Sequence, residues 1–150
     1  MEELYLRIAD RLQNNVEGLT LIDEDTGQLI ESADGYPVTF PCALVDVSTV
    51  DWASCRGTDQ RGTAYITIKH AFDCHEDTHL SSYPYNQFEH LKRRSEQHRQ
   101  LCSALHAYKF AVATSELQRT QSRHYTLYGR IKVYEVTFKV QVADNLLARE

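Results

Sequence analysis

The sequence predicts an α+β fold: a mostly antiparallel, twisted sheet with a long C-terminal hairpin, and two main helices packed mainly on one face. Two amphipathic helical segments and several stretches of alternating apolar and polar residues lead to this prediction. Helical and strand segments are grouped along the chain, which is typical of α+β proteins. The 150 residues are expected to form a single domain, residues 1–150.

The N-terminal segment is predicted to be a helix because Leu4, Ile8 and Leu12 recur every four residues and form one apolar stripe. Asn15 and Gly18 are typical of a helix end.

Residues 19–31 are predicted to form a small hairpin, because two short apolar patches flank Asp25-Thr26-Gly27, a typical turn sequence. Asp34-Gly35 and Pro37 then indicate a loop.

Two central strands are predicted next. In residues 36–47, Val38, Phe40, Cys42 and Leu44 share one face, and Ala43, Val45 and Val47 share the other. Pro41 predicts an edge or a bulge there, and residues 48–62, rich in Ser, Thr, Asp and Gly, predict a loop.

In the second strand, Ala64, Ile66, Ile68, His70 and Phe72 alternate with Tyr65, Thr67 and Lys69. This pattern makes His70 a hydrogen-bonded core or interface residue rather than a catalytic one.

The longest helix is predicted to start at Asn86, with Glu89 completing a capping box. Its apolar stripe consists of Phe88, Leu91, Ser95, His98, Cys102 and Leu105. The polar residues within this stripe predict a helix on a sheet face rather than in a deep core. The chain then ends in a hairpin over about residues 112–142, because Tyr134, Val136, Phe138, Val140 and Val142 alternate with polar residues.

Composition narrows the functional classes. The net charge of −5 argues against a general affinity for nucleic acid. No basic, apolar leader and no apolar run of about 18 residues is present, so the chain is expected in the cytoplasm when it is made. The four cysteines form no C-x-x-C pair and are expected to be reduced thiols.

Residues 75–79, His-Glu-Asp-Thr-His, match the H-E-x-x-H pattern of zinc proteases. The surrounding residues 73–84 prefer turns and caps and offer only Leu80 as an apolar anchor, so they do not predict the helix that this chemistry needs. No catalytic residue and no cofactor is therefore predicted. One alternative stays open: a loop metal site, or a small hydrolase built on it, with Cys74, His75 and His79 as ligands. Asp73, and Cys55 or His70, would complete that site.

Basic and aromatic residues suggest contacts with other molecules. The long helix and final hairpin carry arginines and a lysine that would suit an acidic protein surface, or DNA backbone in an adaptor or nucleic-acid-binding module. Tyrosine and tryptophan are enriched at protein interfaces. The predicted contact residues are Trp52, Tyr83, Tyr85, Lys92, Arg93, Arg94, Arg99, Arg123, Tyr125 and Tyr128. We expect these contacts in the loops at residues 48–62 and 73–85 and at the hairpin tip, residues 121–130.

Five segments carry a resemblance to known proteins: IDEDTGQL, YPVTFPCALVDV, ITIKHAFD, LCSALHAY and YEVTFKVQVAD. Over about residues 1–144, this layout resembles small proteins from prophages and phage-like elements of Bacteroides-type bacteria. That group in turn is similar to the tail-terminator and tail-completion proteins of long-tailed phages.

The resemblance implies a non-enzymatic structural protein that forms a ring, expected to be a hexamer, at the head-proximal end of a phage tail. Such a ring would terminate the tail tube and join it to the head connector. The implied partners are further copies of the chain, the tail-tube protein and a connector or neck protein, without a membrane. Any contact with DNA would be independent of sequence. Assembly would take place in the host cytoplasm, and the final location would be the virion.

Overall fold

The computed structural model describes residues 2–31, 38–74 and 84–146, with side chains for all of these except Glu31 and residues 84–88. The elements in chain order are α1 (Glu2–Asn15), β1 (Leu21–Glu24), α2 (Gln28–Glu31), β2 (Cys42–Arg56), β3 (Asp59–Asp73), α3 (Pro84–Leu105), β4 (Gln118–Leu127) and β5 (Ile131–Asn145). Within the described residues, the strands form a five-stranded sheet in the order β1-β2-β3-β5-β4. Strand β1 is parallel to β2, and the remaining neighbours are antiparallel. The predicted α+β class is confirmed.

Helices α1 and α3 cover one face of the sheet. Leu4, Ile8 and Leu12 of α1 are buried there, as predicted, against even-numbered residues of β3 and β5 such as Ile66 and Phe138. Burying each of these large side chains contributes about 1.5–3 kcal/mol. Among the side chains of α3 that the structure describes, residues 89–105, the buried ones lie in the C-terminal half and are Leu101, Cys102, Ala104 and Leu105, whereas Leu91 and Ser95 of the predicted stripe are exposed. The two main helices therefore share one face of the sheet.

The opposite face has a smaller core near one end and is polar elsewhere. Cys42, Leu44, Ala71, Ile131 and Val133 are buried in this second core, and Leu29 of α2 packs against them. Further along, Thr63, Tyr65, Thr67 and Lys69 are half-exposed beside Thr137 and Gln141. This polar part of the second face is called the open face below.

The predicted hairpin at residues 19–31 is wrong. Gly27 has a φ of +90° and forms the expected turn, but the chain continues into the short helix α2, and β1 pairs in parallel with β2. The buried side chain of Gln28 explains the helical turn: its amide donates to the carbonyl of Glu24 at 2.7 Å and its oxygen accepts from the N–H of Thr26 at 2.7 Å. The predicted loop at residues 34–37 lies outside the described residues.

The predicted loop at residues 48–62 is also wrong. Strands β2 and β3 continue through this region and are joined by a two-residue turn at Gly57 and Thr58. A bulge lies between Asp46 and Thr49, where the register against β3 shifts. Beyond a bulge, the side chains that would have faced the core face the other side of the sheet. The regular alternation of apolar and polar residues is therefore interrupted, and the strand could not be recognised from it. The N-terminal part of β2 is shorter than predicted and begins directly after Pro41.

Helix α3 begins two residues before the predicted start, at Pro84. Proline is favoured in the first turn, where its missing N–H has no helical partner. Asn86 therefore lies inside the helix, and its predicted capping role is wrong. The long C-terminal hairpin is confirmed, with a turn at residues 128–130 between β4 and β5.

Candidate assembly surfaces

The distal part of the β2–β3 hairpin, residues 50–62, is called the arm. Residues 51–57 of the arm are all exposed, and three strands support it, because β5 pairs with β3 as far as Asp59 and Asn145. Trp52, predicted in a loop, lies on strand β2 and is 40% exposed. Its ring lies over Gly62, where an added Cβ would meet the indole at 2.8 Å. The arm is therefore a braced sheet extension with an aromatic side chain at its surface.

Both outer edges of the sheet leave backbone groups unpaired within the described residues. Strand β1 covers only Cys42–Val45 of β2, and the last bond on that side joins the Asp25 N–H to the Val45 carbonyl at 3.0 Å. The β2 edge is therefore defined as residues 46–56. On the other side of the sheet, Leu117 and Arg119 are covered by residues 106–108. The β4 edge is accordingly defined as residues 120–127.

The tip of the C-terminal hairpin presents Tyr128, which is 99% exposed. Arg123 and Tyr125 lie nearby on the opposite side of the sheet from α3, but both are engaged by Glu135. The Tyr125 hydroxyl donates to Glu135 at 2.9 Å, and Arg123 Nε lies 3.4 Å from the same carboxylate. Burial, followed by the hydrogen bond and charge of Glu135, raises the pKa of Tyr125 to about 12. Among these three predicted contacts, Tyr128 is the most accessible.

The basic residues predicted on the long helix do not form a continuous positive surface. Lys92, Arg93 and Arg94 line a cleft of about 980 Å³ together with Glu17, Glu89 and Glu96. Arg94 is half-buried, and its Nη1 donates to the Cys74 sulfur at 2.6 Å. Arg99 is exposed on the same helix. The cleft thus carries mixed charge. Of the predicted aromatic contacts, Tyr83 lies outside the described residues, and Tyr85 is in the first turn of α3 without a described side chain.

A hydrogen-bonded histidine pair joins β3 to α3. His70 is fully buried, its Nδ1 lies 3.0 Å from Nδ1 of His98, and its Nε2 lies 2.8 Å from Oε1 of Gln97. The Gln97 amide donates to the Glu17 carbonyl at 2.9 Å, just after α1. The core role predicted for His70 is confirmed.

The partners of the pair fix its proton positions. Because the Gln97 oxygen can only accept, His70 Nε2–H donates to it, which leaves Nδ1 of neutral His70 as an acceptor. His98 Nδ1–H then donates to His70, and His98 Nε2 can accept from the Cys102 thiol at 3.5 Å. Burial lowers the pKa of His70 to about 3, although the Gln97 hydrogen bond raises it, and burial is also the main cause that lowers the pKa of His98 to about 4. Both rings are neutral and fully used in bonding, which fits a structural role.

The sequence did not predict the partners of His70. His98 also stacks on Tyr134, with ring centroids 4.9 Å apart, and His124 packs edge-on against the same tyrosine. The interruption of the helical stripe at His98 was the available signal, because a polar residue on an otherwise apolar stripe needs a buried partner.

The candidate metal ligands are only partly described. His75 and His79 lie outside the described residues, so the structure does not test whether residues 75–79 form a helix. Cys55 is at the tip of the arm, and Ser54 pairs with Gln60, so Cys55 lies roughly 45 Å from Cys74 at about 3.3 Å per strand residue. His70 has both nitrogens occupied. Neither Cys55 nor His70 is therefore placed to complete that site.

Other chemical groupings are also absent from the described part of the chain. No cluster of three or more histidine, cysteine and acidic side chains suited to a metal ion occurs there. All four cysteines are free, and burial raises the pKa of the Cys42 thiol to about 12. None of the helices in the described ranges combines the length and apolar character needed to span a membrane.

Comparison with known proteins provides a likeness of fold. No protein-family model matches the chain, and no curated protein matches it. Among solved structures, it is similar to a chain from the virion of a native gene transfer agent (GTA) particle. The TM-score is 0.53 at 10% sequence identity, over 95% of this chain and 91% of the other. This chain therefore shares its fold, over nearly its whole length, with a chain of a virion particle.

Proposed function

We propose that this chain is a structural protein of a phage or phage-like particle, and that it forms a ring which terminates the tail tube and joins it to the head connector. The observation that carries the proposal is the likeness of fold to a chain of a gene transfer agent virion, which spans 95% of this chain. The sequence resemblance to tail-terminator and tail-completion proteins supports the same class.

The shape of the subunit supports a ring. Contacts between two unlike surfaces of identical subunits close into rings when the rotation between neighbours is suitable. This chain offers two such surfaces at opposite edges of its sheet, the β2 edge and the β4 edge. A ring of this kind acts sterically: it covers the end at which tube subunits would add, and it presents its other side to the connector.

The proposed partners contact the exposed ends of the hairpins. The arm, with Trp52 on its surface, and the hairpin tip, with Tyr128, project accessible aromatic side chains of the kind enriched in interfaces. We assign one end to the tail-tube protein and the other to the connector or neck protein. The proposal requires no catalytic group, cofactor or membrane. Assembly takes place in the host cytoplasm, and the mature location is the neck of the particle.

The proposal is tested in a prophage or phage-like genetic element that carries this gene and releases particles. Deletion of the gene is expected to leave heads without tails, together with tail tubes of irregular length, when lysates are viewed by electron microscopy. The wild-type gene supplied from a plasmid is expected to restore joined particles of uniform tail length. Normal joined particles after deletion would show that the chain has another role.

A matched pair of variants tests the contact surfaces. Tyr128→Ala changes the hairpin tip, and Lys109→Ala changes an exposed residue in the connection after α3. Complementation by the tip variant is expected to yield fewer joined particles, whereas the control variant restores them fully. Equal restoration by both variants would remove the hairpin tip from the set of contacts.

A further inference from the structure

We infer that neighbouring copies of this chain join by strand pairing, with the β4 edge of one copy antiparallel to the β2 edge of the next, so that their sheets become continuous. The inference rests on the proposed ring and names the contact that builds it. The occupant of each edge is a second copy of this chain.

Both edges have the accessible backbone that strand addition requires. Within residues 2–31, 38–74 and 84–146, β2 is paired beyond Val45 on its β3 side only, and β4 is paired beyond Arg119 on its β5 side only. Exposed edges of this kind bind further strands through main-chain hydrogen bonds. The β4 edge, residues 120–127, spans roughly 25 Å at about 3.3 Å per residue, and the β2 edge is long enough to accommodate it.

Strand direction favours the same pairing. Strands β2 and β5 run one way along the sheet, and β3 and β4 run the opposite way. Rotation about a ring axis that lies along the strands preserves these directions. The β4 edge of one copy therefore meets the β2 edge of the next in antiparallel orientation, without any inversion of the subunit. Antiparallel pairing is also slightly the more stable arrangement.

The charges of the two edges are complementary. The β2 edge contains two carboxylates, those of Asp46 and Asp51, and one arginine, Arg56, at its far end. The β4 edge contains Arg123 and no carboxylate.

The charged side chains of the two edges also lie on the same face of the sheet. Asp46 pairs with Thr67, Asp51 pairs with Thr63, and Arg123 pairs with Glu135, so all three charged side chains lie on the open-face side of the sheet. In a continuous sheet they would be neighbours across the junction, where opposite charges stabilise and like charges destabilise strand pairs.

The same charges oppose the alternative pairings. A β2 edge against a β2 edge brings carboxylates together, and a β4 edge against a β4 edge brings arginines together. Among Asp46, Asp51 and Arg123, opposite charges meet in the unlike pairing alone. An unlike pairing is also the one that generates a ring rather than a closed twofold dimer.

A charge-exchange experiment on the purified full-length chain tests the inference. The two variants are Arg123→Glu, which makes both edges acidic, and the double substitution Asp46→Lys with Asp51→Lys, which makes both edges basic. Each variant alone is expected to assemble at least tenfold more weakly than wild type in sedimentation velocity. An equimolar mixture is expected to recover assembly, because the altered β4 edge of one variant then faces the altered β2 edge of the other. Lys109→Glu, an exposed residue outside residues 46–56 and 120–127, is the control and is expected to match wild type.

Two further measurements keep the test decisive. Circular dichroism melting verifies that each variant is folded, and Glu135→Gln is combined with Arg123→Glu if repulsion from Glu135 unfolds the chain. Hydrogen exchange of the wild type at low and high concentration is expected to show slower exchange of amides within residues 46–56 and 120–127 on assembly.

Three outcomes would overturn the inference: a chain that stays monomeric at the highest concentration reached, an assembly in which these amides exchange as fast as in the monomer, or variants that do not recover on mixing. The effect of gene deletion on particles would still decide the proposed function separately, since a tail ring can be built through other surfaces.

Discussion

His70 of β3 and His98 of α3 face each other with their Nδ1 atoms 3.0 Å apart. The contact joins the sheet to its longest helix, and Gln97 extends it to the carbonyl that follows α1. Because each donor in this network has an acceptor, the network favours one arrangement of α1, α3 and β3.

The first prediction concerns pH. The folded-state pKa values of His70 and His98, about 3 and about 4, lie below the value of 6.5 for an exposed histidine. Below pH 6.5 the unfolded chain therefore binds protons that the folded chain does not. The contribution to stability is fully present above pH 6.5 and falls as the pH decreases toward 4. At pH 5 we expect a loss on the order of 2 kcal/mol from His70, and less from the partly exposed His98.

Chemical denaturation at pH 7.5 and pH 5 measures this loss. The His98→Gln variant is expected to show a smaller difference between the two pH values than wild type. His106→Gln, which removes an exposed histidine outside the network, is expected to keep the wild-type difference. An equal pH dependence in wild type and His98→Gln would contradict the prediction.

The second prediction concerns Gln97. Its replacement by alanine leaves the buried Nε2–H of His70 without its acceptor, which costs about 1–3 kcal/mol. Denaturant unfolding of Gln97→Ala is expected to show this loss, whereas Gln100→Ala, one turn along the same helix, is expected to change the free energy of unfolding by less than about 0.5 kcal/mol. A similar small change in both variants would mean that Gln97 does not hold His70.

The third prediction concerns Gly62. An added Cβ would lie 2.8 Å from both the Trp52 ring and Val50 Cγ1, so Gly62→Ala must displace the indole or the strand. Overpacking of this kind costs about 1–3 kcal/mol. Trp52 is the single tryptophan of the chain, and its fluorescence maximum is expected to shift in Gly62→Ala but not in the exposed-arm control Ser54→Ala. An unchanged spectrum would show that the ring is not seated on Gly62.

The fourth prediction contrasts two tyrosines of one hairpin. Tyr128 is 99% exposed, so Tyr128→Ala is expected to change the free energy of unfolding by less than about 0.5 kcal/mol. Tyr125 packs on the second core and donates to Glu135. We expect Tyr125→Phe, which removes that hydrogen bond, to cost about 1 kcal/mol. Thermal denaturation of both variants measures the contrast, and a larger loss for Tyr128→Ala would contradict it.

The sequence predicted those elements whose side chains alternate or recur without interruption. Helix α1, strand β3 and strand β5 each place a regular apolar set against the same core, so periodicity alone identified them. The arm was missed because its residues are polar and because the bulge before it, between Asp46 and Thr49, changes the phase of the pattern. Strand pairing with β3, which is a tertiary effect, decides the conformation there.

The missed contacts depend on distant parts of the chain. His98 is separated from His70 by 28 residues, and no local rule indicates that the two rings meet. Helix α2 was predicted to be a strand because the pattern of apolar residues does not reveal the hydrogen bonds that the side chain of Gln28 makes. The sequence predicted which types of residue make the proposed contacts. Only the strand order shows that the contact surfaces lie at opposite edges of the sheet.

The bulge between Asp46 and Thr49 has a consequence for how the arm can change in length. Side chains along a strand alternate with a period of two. Removing one residue at position 47 or 48 would leave two steps from Asp46 to Thr49, as from Thr67 to Tyr65 on β3, so the bulge would disappear and Trp52 would stay opposite Gly62. Within the arm, an insertion or deletion keeps each side chain on its face when β2 and β3 each gain or lose two residues, which changes the reach of the arm by roughly 7 Å.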